Sequence, residues 1–337
     1  MTTLFTDPIA AAPIFRSTIA TAQRILLFSH INPDGDAIGS LLAARHTLRA
    51  LGKEAIAIAS SDIPDYTRRL PGIDDLPIYQ RGQALPAADL VWLLDTATLS
   101  RVGAIYDDHA STLLSKPLMI VDHHVTNTGE GTLNLIDPRS ASNADLLYRL
   151  LRAMELPVTP EVATCLLMGV MTDTQSFQTS STAPITLRVV AELLEAGANH
   201  GGVVRDVYYM NPYSTLQLVG KSLAYLQRDG AMAWTIVTRE MMEQTGAEDE
   251  ASDDVVRLMQ RVSGVKACAI FKERADGTIK ISLRAITGID VAQVARIWDG
   301  GGHTQASGAT LKMNLAEAQA AVLPALRAAM EKSQTAR

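Results

Sequence analysis

Four places in this chain set carboxylates or imidazoles directly behind an apolar run. The stretch FSHINPDGDAIGS carries His30, Asp34 and Asp36 within seven positions. LLDTA supplies Asp95, MIVDHH supplies Asp122, His123 and His124, and LLMGVMTDT supplies Asp173. A single aspartate after a strand is ordinarily a helix N-cap or a turn residue. A lone histidine, such as His46, His109 or His200, is ordinarily a hydrogen-bonded surface group. Three ionisable groups in one turn exceed what capping requires, and two adjacent histidines offer nitrogens aimed in different directions.

Brought together bare, these carboxylates would repel one another and resist ionisation. Divalent cations remove that difficulty. Oxygen and imidazole donors without thiolate suit Mn2+, Mg2+ or Fe2+ better than a structural zinc. The donors outnumber the needs of one ion. A bridging carboxylate would set two ions ~3.5–4 Å apart, the spacing of two-metal phosphoryl-transfer sites.

Parallel strands would bring such distant residues together, because all their carboxyl ends lie on one edge of the sheet. Arg24–Ser29, Glu54–Ala59, Leu90–Leu94 and Leu118–Val121 read as strands, and Ala37–Leu51 reads as a helix stopped by Gly52. Helical patterns follow over 142–154, 160–171 and 184–196. Strands alternating with helices predict an α/β domain with a mostly parallel, doubly wound sheet over residues 1–235. The acidic stretch REMMEQTGAEDEASDD changes texture, so 236–254 reads as a linker or solvated surface segment. A smaller α+β domain is expected over 255–337, with strand patterns at 231–237, 266–272 and 278–283, a turn at Asp276-Gly277, and a helix near 290–298.

The 337 residues are 47% apolar, enough for a sizeable core. No apolar run reaches the ~18 residues of a membrane span, and the first residues lack a signal-peptide pattern. Cys165 and Cys268 lie in apolar surroundings and read as buried thiols. A cytoplasmic protein is the simplest expectation. The net charge of -6 argues against electrostatic binding of long nucleic acid. Residues 1–250 hold 18 basic and 28 acidic side chains, whereas 251–312 hold 9 basic and 6 acidic. The acidic first part would repel a phosphate substrate unless cations sit in it.

The ordered set His-x-x-Pro-Asp-Gly-Asp-Ala-x-Gly-Ser, a strand-end Asp, Asp-His-His, Thr-Asp-Thr and GGGHTQASG resembles the DHH phosphoesterase superfamily with its DHHA1 C-terminal domain. Within it, the layout is most similar to the bacterial oligoribonuclease and pAp-phosphatase (nano-RNase) group. The resemblance implies that His30 and Asp34 hold one Mn2+, that Asp36, His123 and Asp173 hold another, and that Asp95 bridges them. It places Asp122 behind an imidazole, His124 toward the substrate phosphate, and Arg101 near the site; a surface salt bridge is the equal alternative for Arg101.

Gly300, Gly301, Gly302 and His303 would grip the substrate end away from the metals, through amide N–H groups aimed at an anion and an imidazole. Arg284 can fork onto a phosphate. Two positions depart from the family: Ala285 where a serine is usual, and Asn143 where a small or hydroxyl residue is. Both are expected to alter substrate grip without touching a metal ligand.

Phe271 and Trp298 are the only aromatics after residue 250, too few for a long single strand. No stretch is left for the OB-type domain of the larger exonucleases. Short RNA or DNA oligonucleotides and pAp are therefore the expected substrates. A linear pApA hydrolase and a non-catalytic nucleotide-binding module are the alternatives; a pyrophosphatase would lack GGGH. Relatives suggest a homodimer.

Overall fold

The apolar runs become the centre of the first of two units. A computed structural model of the chain describes residues 2–335, without the side chains of Glu250, His303 and residues 333–335. The chain divides after Met210. The first unit runs β1 (Thr3–Phe5), α1 (Pro8–Thr21), β2 (Arg24–Phe28), α2 (Gly35–Ala50), β3 (Glu54–Ala57), β4 (Leu90–Leu94), α3 (Ala104–Leu114), β5 (Leu118–Asp122), β6 (Leu133–Ile136), α4 (Asn143–Ala153), α5 (Pro160–Asp173), α6 (Pro184–Glu195) and α7 (His200–Tyr208).

Its six strands lie in the order β1-β6-β5-β4-β2-β3, and every pair is parallel. β4 and β5 are buried along their whole length, as strands covered on both faces must be. Ile25, Leu27, Trp92, Leu94, Met119 and Val121 face a core built with α1, α2, α4 and α5. Leu26, Phe28, Val91, Leu93 and Ile120 face the other side with Ile105 and Leu113 of α3. The sheet is thus doubly wound. The chain places β3 on one side of β2 and β4 on the other, so the connections leaving β2 and β4 diverge there. A crevice at such a switch point is where open α/β sheets bind ligands.

α2 and α5 pack closely, and glycine makes that possible. A Cβ on Gly39 would overlap the backbone carbonyl of Cys165, and one on Gly35 would lie 2.5 Å from Thr172 Oγ1. The two helices carry Asp36 near the start of one and Asp173 at the end of the other.

The second unit runs α8 (Tyr213–Leu223), β7 (Gln227–Asp229), β8 (Met232–Val237), α9 (Arg239–Thr245), α10 (Ser252–Met259), β9 (Ala267–Glu273), β10 (Ile279–Ala285), α11 (Val291–Arg296), β11 (Gly301–His303), β12 (Ala306–Leu311) and α12 (Leu315–Thr335). Its mixed sheet has the order β11-β12-β10-β9-β8-β7, with only β8 and β9 parallel. One face packs on α11 and α12, the other on α8, α9 and α10. This is the expected α+β domain.

Three features differ from the sequence expectation. Residues 211–235 pack with the second unit, since Leu218 and Val219 of α8 share a core with Val255 and Ile270. The acidic stretch over 236–254 is structured. Thr238 caps α9, Met241 is buried beneath it, and Gly246 ends it in a left-handed conformation (φ 62°). Asp249 then pairs at 2.7 Å with the buried Lys272 ammonium. Sequence texture reported the exposed acidic face and hid the few buried anchors. Finally, GGGH is not an open loop: Gly301–His303 forms an edge strand paired with β12.

Candidate metal centre

β2, β4 and β5 deliver their terminal residues to one edge, and three ligand-competent groups of side chains meet there. His30, Asp34 and Asp95 form one; Asp36, His123 and Asp173 form another; Asp95, His123 and His124 form a third. Within each group the donor atoms lie within 4.8 Å of one another. Asp95 stands between the first two. Its Oδ2 is 3.6 Å from His30 Nε2, and its Oδ1 is 3.5 Å from His123 Nε2. His123 Nε2 is also 3.6 Å from Asp173 Oδ2 and 3.9 Å from Asp36 Oδ2. These separations exceed a good hydrogen bond and suit neighbouring donors around an ion with metal–ligand bonds of about 2.0–2.2 Å.

Local structure aims each donor. Asp34 is also the N-cap of α2: its Oδ1 accepts from the amides of Asp36 and Ala37, each at 3.0 Å. Capping and ligation are compatible here because a carboxylate has about four lone-pair sites. Asp95 ends β4 in a left-handed conformation (φ 54°), an uncommon state for a non-glycine residue that turns the chain out of the sheet. His30 Nδ1 donates to the Ile31 carbonyl at 2.8 Å, and His123 Nδ1 to the Ser140 carbonyl at 3.3 Å. Both rings thereby present Nε2 as a free lone pair, the usual way a protein fixes a ligand's tautomer.

The electrostatics call for cations. Burial and the charges of Asp95, Asp173 and Asp34 push the Asp36 carboxyl well above its ordinary range. Burial, with Asp95 and Asp34, pushes Asp173 up to about 6 against the pull of His123. Burial works to lower the His30 imidazole, but the neighbouring Asp95 carboxylate and the bond to the Ile31 carbonyl raise it overall. Asp95 Oδ1 is buried without a hydrogen-bond partner among the described residues, a costly state for a carboxylate oxygen. No cysteine belongs to the three donor groups. The donor set and the orphaned oxygen fit divalent cations of the Mn2+ or Mg2+ kind.

Asp122 is fully buried beside the donor groups. Its Oδ1 accepts from His124 Nδ1 at 2.8 Å, and its Oδ2 from Asn127 Nδ2 at 2.7 Å. Burial opposes its ionisation, yet His124 and Asn127 hold it below the usual carboxylate range. The same bond to Asp122 pushes His124 up to about 9. Asn127 also donates to the Thr96 carbonyl at 3.0 Å and accepts from Gly129 N at 2.8 Å. Sequence reasoning missed Asn127, although it lies in the same loop as His124; a lone asparagine in VTNTGEG reads as turn chemistry.

Arg101 has an exposed side chain. Its carbonyl accepts from Ile31 N at 2.7 Å, knitting the loop after β4 to the loop after β2. His46 bonds Pro71 O, His109 bonds Tyr79 and Gln83, and His200 is exposed at the start of α7, all outside the donor groups.

Asn143 corrects an expectation. Its backbone amide donates to Asp36 Oδ2 at 2.6 Å, so this position does touch a candidate ligand.

Within the second unit, Arg284 lies on β10, donates to the Leu283 carbonyl at 3.0 Å, and lines a small hollow with Gln260, Lys266 and Cys268. The side chain of His303 lies outside the described residues. Of the glycines, Gly300 and Gly302 are required by close backbone packing: a Cβ on Gly300 would overlap the Gly308 carbonyl, and one on Gly302 (φ 132°) would lie 2.5 Å from the Ala306 carbonyl. Gly301 faces open space.

A doubly wound parallel sheet whose switch-point edge carries this carboxylate–imidazole cluster defines a metal-dependent phosphoesterase. The N-terminal domain of the DHH family matches residues 24–170, and the DHHA1 domain matches residues 233–332. The bifunctional oligoribonuclease and PAP phosphatase NrnA of Thermus thermophilus is 35% identical over 306 residues, covering 90% of this chain and 89% of that protein. The cyclic-di-AMP phosphodiesterase PdeA of Listeria monocytogenes is 24% identical over 332 residues, covering 92% of this chain and 48% of that one. The crystal structure of an exopolyphosphatase-related protein from Bacteroides fragilis matches with a TM-score of 0.89 at 27% identity, over 96% of this chain and 98% of that one. The chain belongs to the DHH family and carries its DHHA1 domain.

Proposed function

We propose that this protein hydrolyses short oligonucleotides to mononucleotides and pAp to AMP, using two Mn2+ ions. The observation that carries the reading is Asp95, whose two oxygens face His30 and His123, one from each donor triad. His30, Asp34 and Asp95 would hold one ion; Asp36, His123, Asp173 and Asp95 would hold the other. Bound there, the ions supply a nucleophile from water at neutral pH and offset negative charge developing on the non-bridging phosphate oxygens.

The chain's own residues do the rest. His124, held by Asp122 and pushed up to about 9 in the metal-free protein, donates to a phosphate oxygen. Arg101, exposed, attracts the phosphate from outside. Arg284, His303 and the Gly300–Gly302 backbone are assigned to the rest of the nucleotide. The substrates follow the printed activities of the Thermus thermophilus relative. The PdeA relative, a cyclic-di-AMP phosphodiesterase, favours a second reading within dinucleotide turnover, which we take as hydrolysis of linear pApA.

The experiment is product analysis with labelled RNA of two to five nucleotides, the DNA equivalents, pAp and pApA, each with Mn2+. Turnover of none of them retires the proposal. Turnover of pApA alone establishes the second reading. Binding without turnover, unchanged by Asp95→Ala, would mark a non-catalytic nucleotide-binding module.

A further inference from the structure

Asp36 is held at both oxygens by the start of a helix more than a hundred residues away in sequence. Its Oδ2 accepts from Asn143 N at 2.6 Å and its Oδ1 from Ala144 N at 2.8 Å. These are the first two residues of α4, whose N-cap is Ser142. Amides in a first helical turn have no partner inside the helix and favour an anion. On its third side the carboxylate meets Gly169 of α5. A Cβ there would lie 2.5 Å from Asp36 Oδ1 and 2.6 Å from the Ala144 Cβ, distances that no packed side chain tolerates.

We propose that Asn143, Ala144 and Gly169 form a socket that positions Asp36 for its cation, through two backbone amides and one absent side chain. None of the three touches an ion or the substrate; they are positioning residues. Two constraints make the socket necessary. Asp36 is 1% exposed, so without fixed donors its carboxylate oxygens would be buried with nothing to hold their direction. Each oxygen gives one lone pair to an amide and keeps another for a ligand bond.

The inference rests on the two-cation reading of the site, and the test separates the two. Purified protein is stripped of metal, and Mn2+ binding is measured by calorimetry and by the electron paramagnetic resonance signal of free Mn2+. His123→Ala tests the reading itself: one of two ions should be lost. Asn143→Pro tests the socket with little cost to the fold. Proline is favoured at the first position of a helix, Ser142 before it is already extended (φ -159°, ψ 165°), and the change deletes the N–H that holds Oδ2 together with a buried side-chain amide that has no hydrogen-bond partner among the described residues. Gly169→Ala tests the remaining wall. Leu166→Ala, which opens a core cavity in the same helix, is the control for general destabilisation.

The expected result is wild-type affinity for one ion and about 10–100-fold weaker binding of the other in Asn143→Pro and Gly169→Ala, with both ions retained in Leu166→Ala. If His123→Ala still binds two ions as wild type does, the cation reading fails. If His123→Ala loses one ion but Asn143→Pro keeps both at wild-type affinity, the reading stands and the socket is wrong. Loss of an ion in Leu166→Ala as well would reduce the effect to ordinary instability and overturn the positioning role.

Discussion

Asp122 and His124 share a 2.8 Å hydrogen bond between a fully buried carboxylate and an imidazole at the edge of the metal centre. The bond raises His124 to about 9. A histidine whose folded value lies above its unfolded 6.5 adds stability that is full below pH 6.5 and disappears as pH climbs through about 9. In metal-stripped protein, NMR titration should therefore find a ring titrating near 9. Asp122→Asn should return it toward 6.5 and remove that part of the stability profile.

Asn127 supports the same pair from behind. Asn127→Ala takes from Asp122 the donor at 2.7 Å and frees the loop from Thr96. Turnover should fall by about 10–100-fold, the usual cost of losing an orienting partner near a metal site, while Mn2+ stoichiometry stays at the wild-type value. An Asn127→Ala enzyme that turns over normally would show that His124 keeps its aim without this support.

Asp95→Ala removes the carboxylate that faces both histidines. Catalysis should drop on the order of a thousandfold, equivalent to several kcal/mol of lost charge stabilisation. Metal analysis of the same sample should show reduced Mn2+ content. Full metal content with full activity would dismiss Asp95 as the shared ligand.

Metal removal should make the protein's stability fall with rising pH. Asp173 titrates near 3.8 when unfolded and about 6 when folded, so between those values the folded state binds more protons. Stability then decreases as pH rises through that window; the raised Asp36 acts in the same direction. Thermal melts of chelator-treated protein at pH 4.5 and pH 7 should show this loss, and saturating Mn2+ should cancel it.

Gly39→Ala should destabilise the first unit by about 1–3 kcal/mol, the usual cost of overpacking, although alanine is the better helix former. Its Cβ would enter the Cys165 carbonyl of α5, which is backbone and cannot step aside. Denaturant titration checks this.

The sequence carried a large share of this outcome. β2, β4 and β5 show as short apolar runs because strands covered on both faces must be apolar throughout. His30, Asp34, Asp36, Asp95 and His123 show because each follows such a run, and parallel strands send their ends to one edge; Asp173 instead ends the apolar helix α5. Less regular pieces did not show. β1 and β6 are three and four residues long, too short for a periodic signal, and α1 contains Pro13, a residue that ordinarily argues against a helix. α9 hid in an acidic stretch because only Met241 and Thr245 are buried in it.

What the amino-acid string determined by itself was the inventory: donor types, their places behind apolar runs, and hence a chemistry of divalent cations. Only the tertiary structure decided which oxygen faces which nitrogen, and that Asn143, Ala144, Gly169 and the Ser140 carbonyl hold the donors in place. The physical reason is that these supports are main-chain amides, a main-chain carbonyl and a missing side chain. Every residue except proline offers the same backbone groups, so nothing in a residue's identity reveals them until the chain has folded.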